Sequence, residues 1–206
     1  MWFFPCGPSL VSYIVVLDGT KAIETALIGR EGAVGGLVSQ GRLPAFARAE
    51  VQLRGPFFRV ELQRLEAVKN RSPSLRNLFA RYADCLMAQV FQAVACNAAH
   101  SIEQRTSKWL VAATERTGGQ SVALTQDHLA AMLGVGRSYL SRVIQDLRQQ
   151  GVIETGRGRI VVRDVARIRE LGCQCNGAVT RHFNDVPAGV YPVEDTEPSA
   201  DKASLA

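Results

Sequence analysis

Several protein classes are closed to this chain by what it does not contain. No apolar run reaches the roughly 18 residues a membrane span requires, although 47% of the 206 residues are hydrophobic. The opening text, "MWFFPCGPSL", has no basic leader and sets Pro and Gly where a secretory signal keeps its apolar centre, so a cytoplasmic protein is expected. Cysteines at 6, 85, 96, 173 and 175 are odd in number and scattered, which is no disulfide framework, and reduced thiols follow. An enzyme is not expected either. Its best nucleophile and base, Cys175 and His182, have no orienting carboxylate at a defined spacing.

What the chain has is uneven charge. The net value of +5 is modest, yet between Arg137 and Arg163 six arginines (137, 142, 148, 157, 159 and 163) face only Asp146 and Glu154. After Leu171 the sign reverses, with Asp185, Glu194, Asp195, Glu197 and Asp201 against Arg181 and Lys202. Such a concentration of positive charge suits a polyanionic partner.

Three units can be read along the chain. Residues 10 to 62 alternate in short β-branched pieces broken by turn signals: "LVSYIVVLDGT" ends in Asp-Gly, "AIETALIG" follows as its hairpin partner, and "ARAEVQLRG" and "FFRVEL" keep period two. This predicts an antiparallel β-roll fragment too short to close. From Ser74 the period becomes helical. One set, Leu75, Leu78, Phe79, Tyr82, Leu86, Val90, Ala93, Val94 and Asn97, is joined by a second, Cys85, Met87, Phe91, Ala95 and Ala98. A helix apolar on two faces must bury both, one on the roll and the other on a second copy, so Leu86, Val90, Phe91, Val94 and Asn97 are expected at a homodimer interface. "SIEQ" at Ser101 has capping-box spacing and restarts the helical text after a hinge.

The third unit is "LTQDHLAAMLGVGRSYLSRVIQDLRQQGVI". Thr125 can cap a helix carrying Leu129, Ala130 and Leu133; Gly134 supplies the turn; a second helix from about 136 to 150 buries Leu140, Val143, Ile144 and Leu147. "GVIET", "GRG" and "RIVVRD" then make two strands with a basic tip, a winged helix-turn-helix. Arg137, Ser138 and Arg142 lie away from the buried set and are the expected base readers, because arginine is the best bidentate partner of guanine. Thr125, Gln126, Ser141, Arg157 and Arg159 are expected on phosphates. The resulting division is 1–100 for the incomplete roll with its long dimerisation helix, 101–174 for the winged helix-turn-helix, and 175–206 for a tail rich in Pro, Asp, Glu, Ser and Ala that is expected to be disordered.

Residues 10 to 170 resemble the Crp/Fnr family of dimeric bacterial transcription regulators, most specifically through "LTQDHLAAMLGVGRSYLSRVIQDLRQQGVIETGRGRIVV". The resemblance implies an α+β chain: a β-roll sensor of the cyclic-nucleotide-binding type, a long dimerisation helix, a hinge and a winged helix. It also implies double-stranded DNA as partner, with RNA polymerase a candidate second. The family's recognition helix commonly carries Arg-Glu and a later Arg; the matching positions are Arg137, Ser138 and Arg142, so Ser138 departs and a different operator is expected. Roughly the first fifty residues of the usual sensor have no counterpart by this match. Cyclic-nucleotide-binding members hold the ribose and phosphate with Gly-Glu-Leu and Arg-Ser, where this chain has Gly36 in place of Glu, and Leu43 and Pro44 in place of Arg-Ser. A buried phosphate without its guanidinium is costly, which argues against cyclic AMP or cyclic GMP; Arg42 or Arg48 are the only substitutes in reach. Iron-sulfur members use clustered N-terminal cysteines, and only Cys6 precedes the long helix here, so that cofactor is not expected and the effector stays unknown. No metal site is expected. Cys85 and Cys96 read as small core residues, "CQC" at Cys173 and Cys175 with His182 is a weak metal or redox signal, and His100 and His128 read as local hydrogen-bonders.

The function these features imply is a homodimeric regulator whose second helix enters the major groove. The alternative is a dimerising antagonist or protein-interaction module that pairs with a relative without itself reading DNA.

Overall fold

The computed structural model describes residues 1–19, 21–35 and 44–188. Its first unit is two small antiparallel sheets. Strands β1 (Trp2–Pro5) and β5 (Phe57–Val60) form one, and β3 (Lys21–Ile28), β2 (Leu10–Leu17) and β4 (Arg48–Leu53) the other, with β2 in the middle. The β2–β3 hairpin turns at Asp18 and Gly19, both in the left-handed region. That is the backbone an Asp-Gly turn permits. Strand β1 has no counterpart in the period-two reading of the sequence; its Trp2 is fully buried and meets Phe79 edge-on at 5.0 Å between ring centroids.

Two helices follow. The first, α1 (Leu62–Arg71), lies in a stretch where the sequence pattern shows no element, and it buries only Leu65. The second, α2 (Pro73–Ala99), is capped by Ser72, whose hydroxyl accepts the Leu75 N–H. Its 27 residues span about 40 Å at 1.5 Å per residue. Phe79, Tyr82 and Leu86 pack into one core with Trp2, Ile28 and Leu65. The Tyr82 hydroxyl donates to the Ala33 carbonyl (3.1 Å) and accepts from its N–H (2.9 Å), and burial pushes the phenol pKa up. Gln89 accepts the Leu27 N–H. Leu86 is therefore an inward residue of its own protomer, which corrects its placement at a dimer interface. Met87, Phe91 and Val94 are the most exposed large apolar side chains of α2, at 52%, 66% and 66%, with Val90 beside them at 37%.

The Ser101–Gln104 capping box opens α3 (Ile102–Thr117) with both reciprocal hydrogen bonds present. Then come β6 (Ser121–Val122), α4 (Gln126–Leu133), α5 (Arg137–Gln149), β7 (Ile153–Gly156), β8 (Arg159–Val162) and α6 (Val165–Leu171), with β8 between β6 and β7 in a three-stranded sheet. This unit shares a core with the roll: Leu10, Ile14 and Leu27 belong to the same buried cluster as Leu110, Leu129, Leu140 and Ile144. At the junction sits Glu24, a half-buried residue on β3. It accepts from Ser12 and from the Trp109 indole N–H at 3.0 Å, so one side chain ties the hairpin to α3.

The tail expected from Cys175 is in part a helix. Residues Cys175–Asp185 form α7, which places Val179 and Phe183 against α2 and α3, with Phe183 edge-on to Tyr82 at 6.1 Å. Cys175, Val179 and Phe183 recur every four residues. The acidic, Pro-containing text beyond them masks that short apolar stripe in a compositional reading. Arg81 closes the end by donating to the carbonyls of Val186 and Ala188. No described helix is long and apolar enough to cross a membrane.

Candidate nucleic-acid interface

Helix α4 is capped by Thr125, whose hydroxyl accepts the His128 N–H at 3.2 Å. It ends at Gly134, which takes φ 70° and ψ 32°. A side chain there would be strained by the dihedral and would also sit 2.9 Å from Ile23 Cδ1 on the β2–β3 hairpin. The last carbonyl, Leu133, accepts from the buried Arg105 guanidinium at 2.7 Å. Burial pulls the Arg105 pKa down, and the Cys96 and Cys173 thiols act in the opposite sense.

On the far side of the turn, α5 buries Leu140, Val143, Ile144 and Leu147 to 3% exposure or less. Arg137, Ser138, Arg142 and Gln145 stand on its exposed side. Each of the two arginines makes one side-chain contact within the helix pair. Arg137 Nε pairs with Asp127 Oδ1 at 2.9 Å, with the two side chains 73% and 59% exposed. An ion pair so exposed is worth little and gives way easily to a stronger anion. The Arg142 guanidinium lies 5.5 Å from the Tyr139 ring centroid, a cation–π contact. Ser141 and Gln126 bond to one another, hydroxyl to side-chain carbonyl at 3.0 Å, tying α5 to the start of α4. Arg157 and Arg159 are exposed at the tip between β7 and β8, and at the base of that hairpin Arg163 bonds Glu154 at 2.6 Å.

The other expected residues fall as follows. On α2, Val90, Phe91, Val94 and Asn97 are exposed along one face. Of the nucleotide-site positions, Gly36, Arg42 and Leu43 lie outside the described residues; Pro44 is exposed, and Arg48 is exposed and paired with Glu50. A cleft of about 810 Å³ lies between β-roll, α2 and α7, lined among others by Phe4, Arg30, Tyr82, Arg116 and Phe183. Cys173 and Cys175 meet Cys96 and His100 rather than His182: Cys96 Sγ is 3.6 Å from Cys173 Sγ, and Cys175 Sγ 3.6 Å from His100 Nδ1.

Residues 104–171 match the model of the Crp-like helix-turn-helix domain. No curated protein matches the chain. Among solved structures the fold is similar to that of FixK2 from Bradyrhizobium japonicum, with TM-score 0.68, 18% identity, and coverage of 84% of this chain and 87% of that one. It is similar also to a Crp-family transcriptional regulator from Thermus thermophilus, with TM-score 0.63, 19% identity, and coverage of 82% and 86%. A third likeness is to a Crp/Fnr-family transcriptional regulator from Eubacterium rectale, with TM-score 0.62, 16% identity, and coverage of 82% and 79%. The Crp-like domain defines a DNA-binding transcription regulator. Outside that domain the likeness is one of fold: an antiparallel roll and a long helix precede it, as in the solved Crp/Fnr-family structures.

Proposed function

We propose that the chain acts in the cytoplasm as a homodimer that reads a two-fold-related site on double-stranded DNA, each α5 entering one major groove. The observation that carries this reading is the two-sided nature of α5. Its apolar side is completely used by the core, and its other side offers Arg137, Ser138 and Arg142 to solvent. Arginine at 137 and 142 suits the paired acceptors of guanine, and the Ser138 hydroxyl can meet a donor or an acceptor edge, so the operator differs from one read by glutamate at that position. Thr125, Gln126 and Ser141 lie at the phosphate side of the helix pair, and Arg157 and Arg159 extend the contact along the backbone. The exposed row Val90, Phe91, Val94 and Asn97 on α2 is the surface on which two protomers meet. Reading successive major grooves requires the two recognition helices about 34 Å apart, one turn of duplex. RNA polymerase is the partner such a promoter-bound dimer regulates.

Selection of binding sites from random duplexes, with sedimentation of the free chain, tests the proposal. An enriched inverted repeat bound by a dimer is the expected result. A dimer that retards no duplex at low salt would overturn it in favour of an antagonist that pairs with a relative.

A further inference from the structure

We propose that Cys96, His100, Cys173 and Cys175 bind a single divalent metal ion of the zinc type in tetrahedral geometry, clasping the end of α2, the hinge before α3 and the α6–α7 connection together.

The first argument is geometric. The four ligand atoms all lie within 4.8 Å of one another, and two of the separations are 3.6 Å. With bonds of about 2.3 Å to sulfur and 2.0–2.1 Å to imidazole nitrogen, a tetrahedron has edges of about 3.5–3.8 Å. The side chains already stand near the corners that one ion requires. A multi-iron cluster needs its thiolates spread around several metal atoms, and this set is too tight for that. Cys96 lies in the last turn of α2 and His100 is the residue that caps it, its N–H donating to the Cys96 carbonyl at 3.1 Å. Cys173 and Cys175 arrive from 77 residues further on, measured between Cys96 and Cys173. Gly172 allows their approach, since a Cβ there would stand 3.1 Å from the Lys108 backbone nitrogen.

The surroundings are those of a ligand set. Gln92 Nε2 donates to Cys175 Sγ at 3.1 Å, and Lys108 Nζ donates to Cys96 Sγ at 3.5 Å. Three thiolates and one divalent ion leave a net negative charge, which the Lys108 ammonium and the nearby Arg105 guanidinium offset. The three cysteines are buried and His100 is half-buried, so the site is largely dry with access from the hinge side. Cys85 shows the contrast: it is equally buried on the same helix and, among the described residues, belongs to no such group. Because Arg105 also reaches the Leu133 carbonyl, the clasp sits one side chain away from the helix-turn-helix pivot. Occupancy would therefore fix the angle between α2 and the DNA-reading unit.

The test uses the full chain, reduced, stripped with chelator and kept from oxygen, then titrated with Zn²⁺ or Co²⁺ in the absence of DNA, so that its outcome is independent of the DNA reading. About one ion per chain is expected, the Co²⁺ form showing intense thiolate-to-metal absorption and tetrahedral visible bands. In the native chain Zn²⁺ should shield Cys96, Cys173 and Cys175 from alkylation and leave Cys6 and Cys85 as they were. Cys96→Ser and Cys173→Ser should abolish the Co²⁺ thiolate band, Cys85→Ser should keep it, and Gln92→Ala should weaken affinity by about 10–100-fold. The proposal fails if the native chain gives no thiolate band or if zinc leaves the alkylation pattern unchanged.

Discussion

Helix α5 buries Leu140, Val143, Ile144 and Leu147 and turns Arg137, Ser138 and Arg142 outward, whereas α2 buries Phe79, Tyr82 and Leu86 and turns Met87, Phe91 and Val94 outward. Both helices are finished on one side by their own chain. Their free sides make opposite demands. The free side of α5 is at ease in water and gains only from a polyanion, while that of α2 holds apolar area in water, worth roughly 1.5–3 kcal/mol for each large side chain that becomes buried. The difference supports the two proposed partners, nucleic acid on α5 and protein on α2.

The strongest way to break this comparison is to interchange what the two sides of α2 do. Leu86→Ala should cost about 2–5 kcal/mol of folding stability in denaturant titration and leave the association surface intact, because Leu86 faces the roll. Phe91→Asp should leave the monomer folded and weaken self-association by more than about 2 kcal/mol, seen as a monomer in sedimentation; an unchanged dimer would remove α2 as the interface. On α5, Arg137→Ala and Arg142→Ala should each cost about 1–3 kcal/mol of specific binding and relax base preference at the contacted position. Arg157→Ala, on the wing, should act alike on all sequences and lower the salt-dependence slope by about one.

A pH experiment sharpens the comparison where the two units join. Burial raises the Glu24 carboxyl pKa above its ordinary value, against the hydrogen bonds from Ser12 and Trp109. The folded chain then holds that proton more tightly than the unfolded one. Stability should fall as pH rises from the ordinary carboxylate value through the raised one, and Glu24→Gln should flatten this part of the profile.

The helix-turn-helix was legible because its signals are local: a capping threonine, a glycine turn and an aliphatic spacing within one short stretch. The α2 faces were legible only as a pair. Periodicity shows that both are apolar, but which one meets the roll depends on Trp2 and Ile28, distant residues that claim Phe79, Tyr82 and Leu86. Helix α1 has a single buried leucine and little pattern to read, and β1 is four residues ending in proline. The Asp127–Arg137 pair, the Glu24–Trp109 bond and the meeting of Cys96 with Cys173 are products of folding, with no trace in spacing along the chain.

The turn of the reading unit rests directly on the first hairpin at Gly134 and Ile23, and an unbroken apolar interior runs from β2 through α3 into α5. Heating should accordingly show one cooperative transition for the described fold, with no separate melting of the amino-terminal half. Any ligand or substitution that loosens the hairpin will reach the arginines of α5 through packed side chains, because among the described residues no slack tether stands between the halves to absorb it.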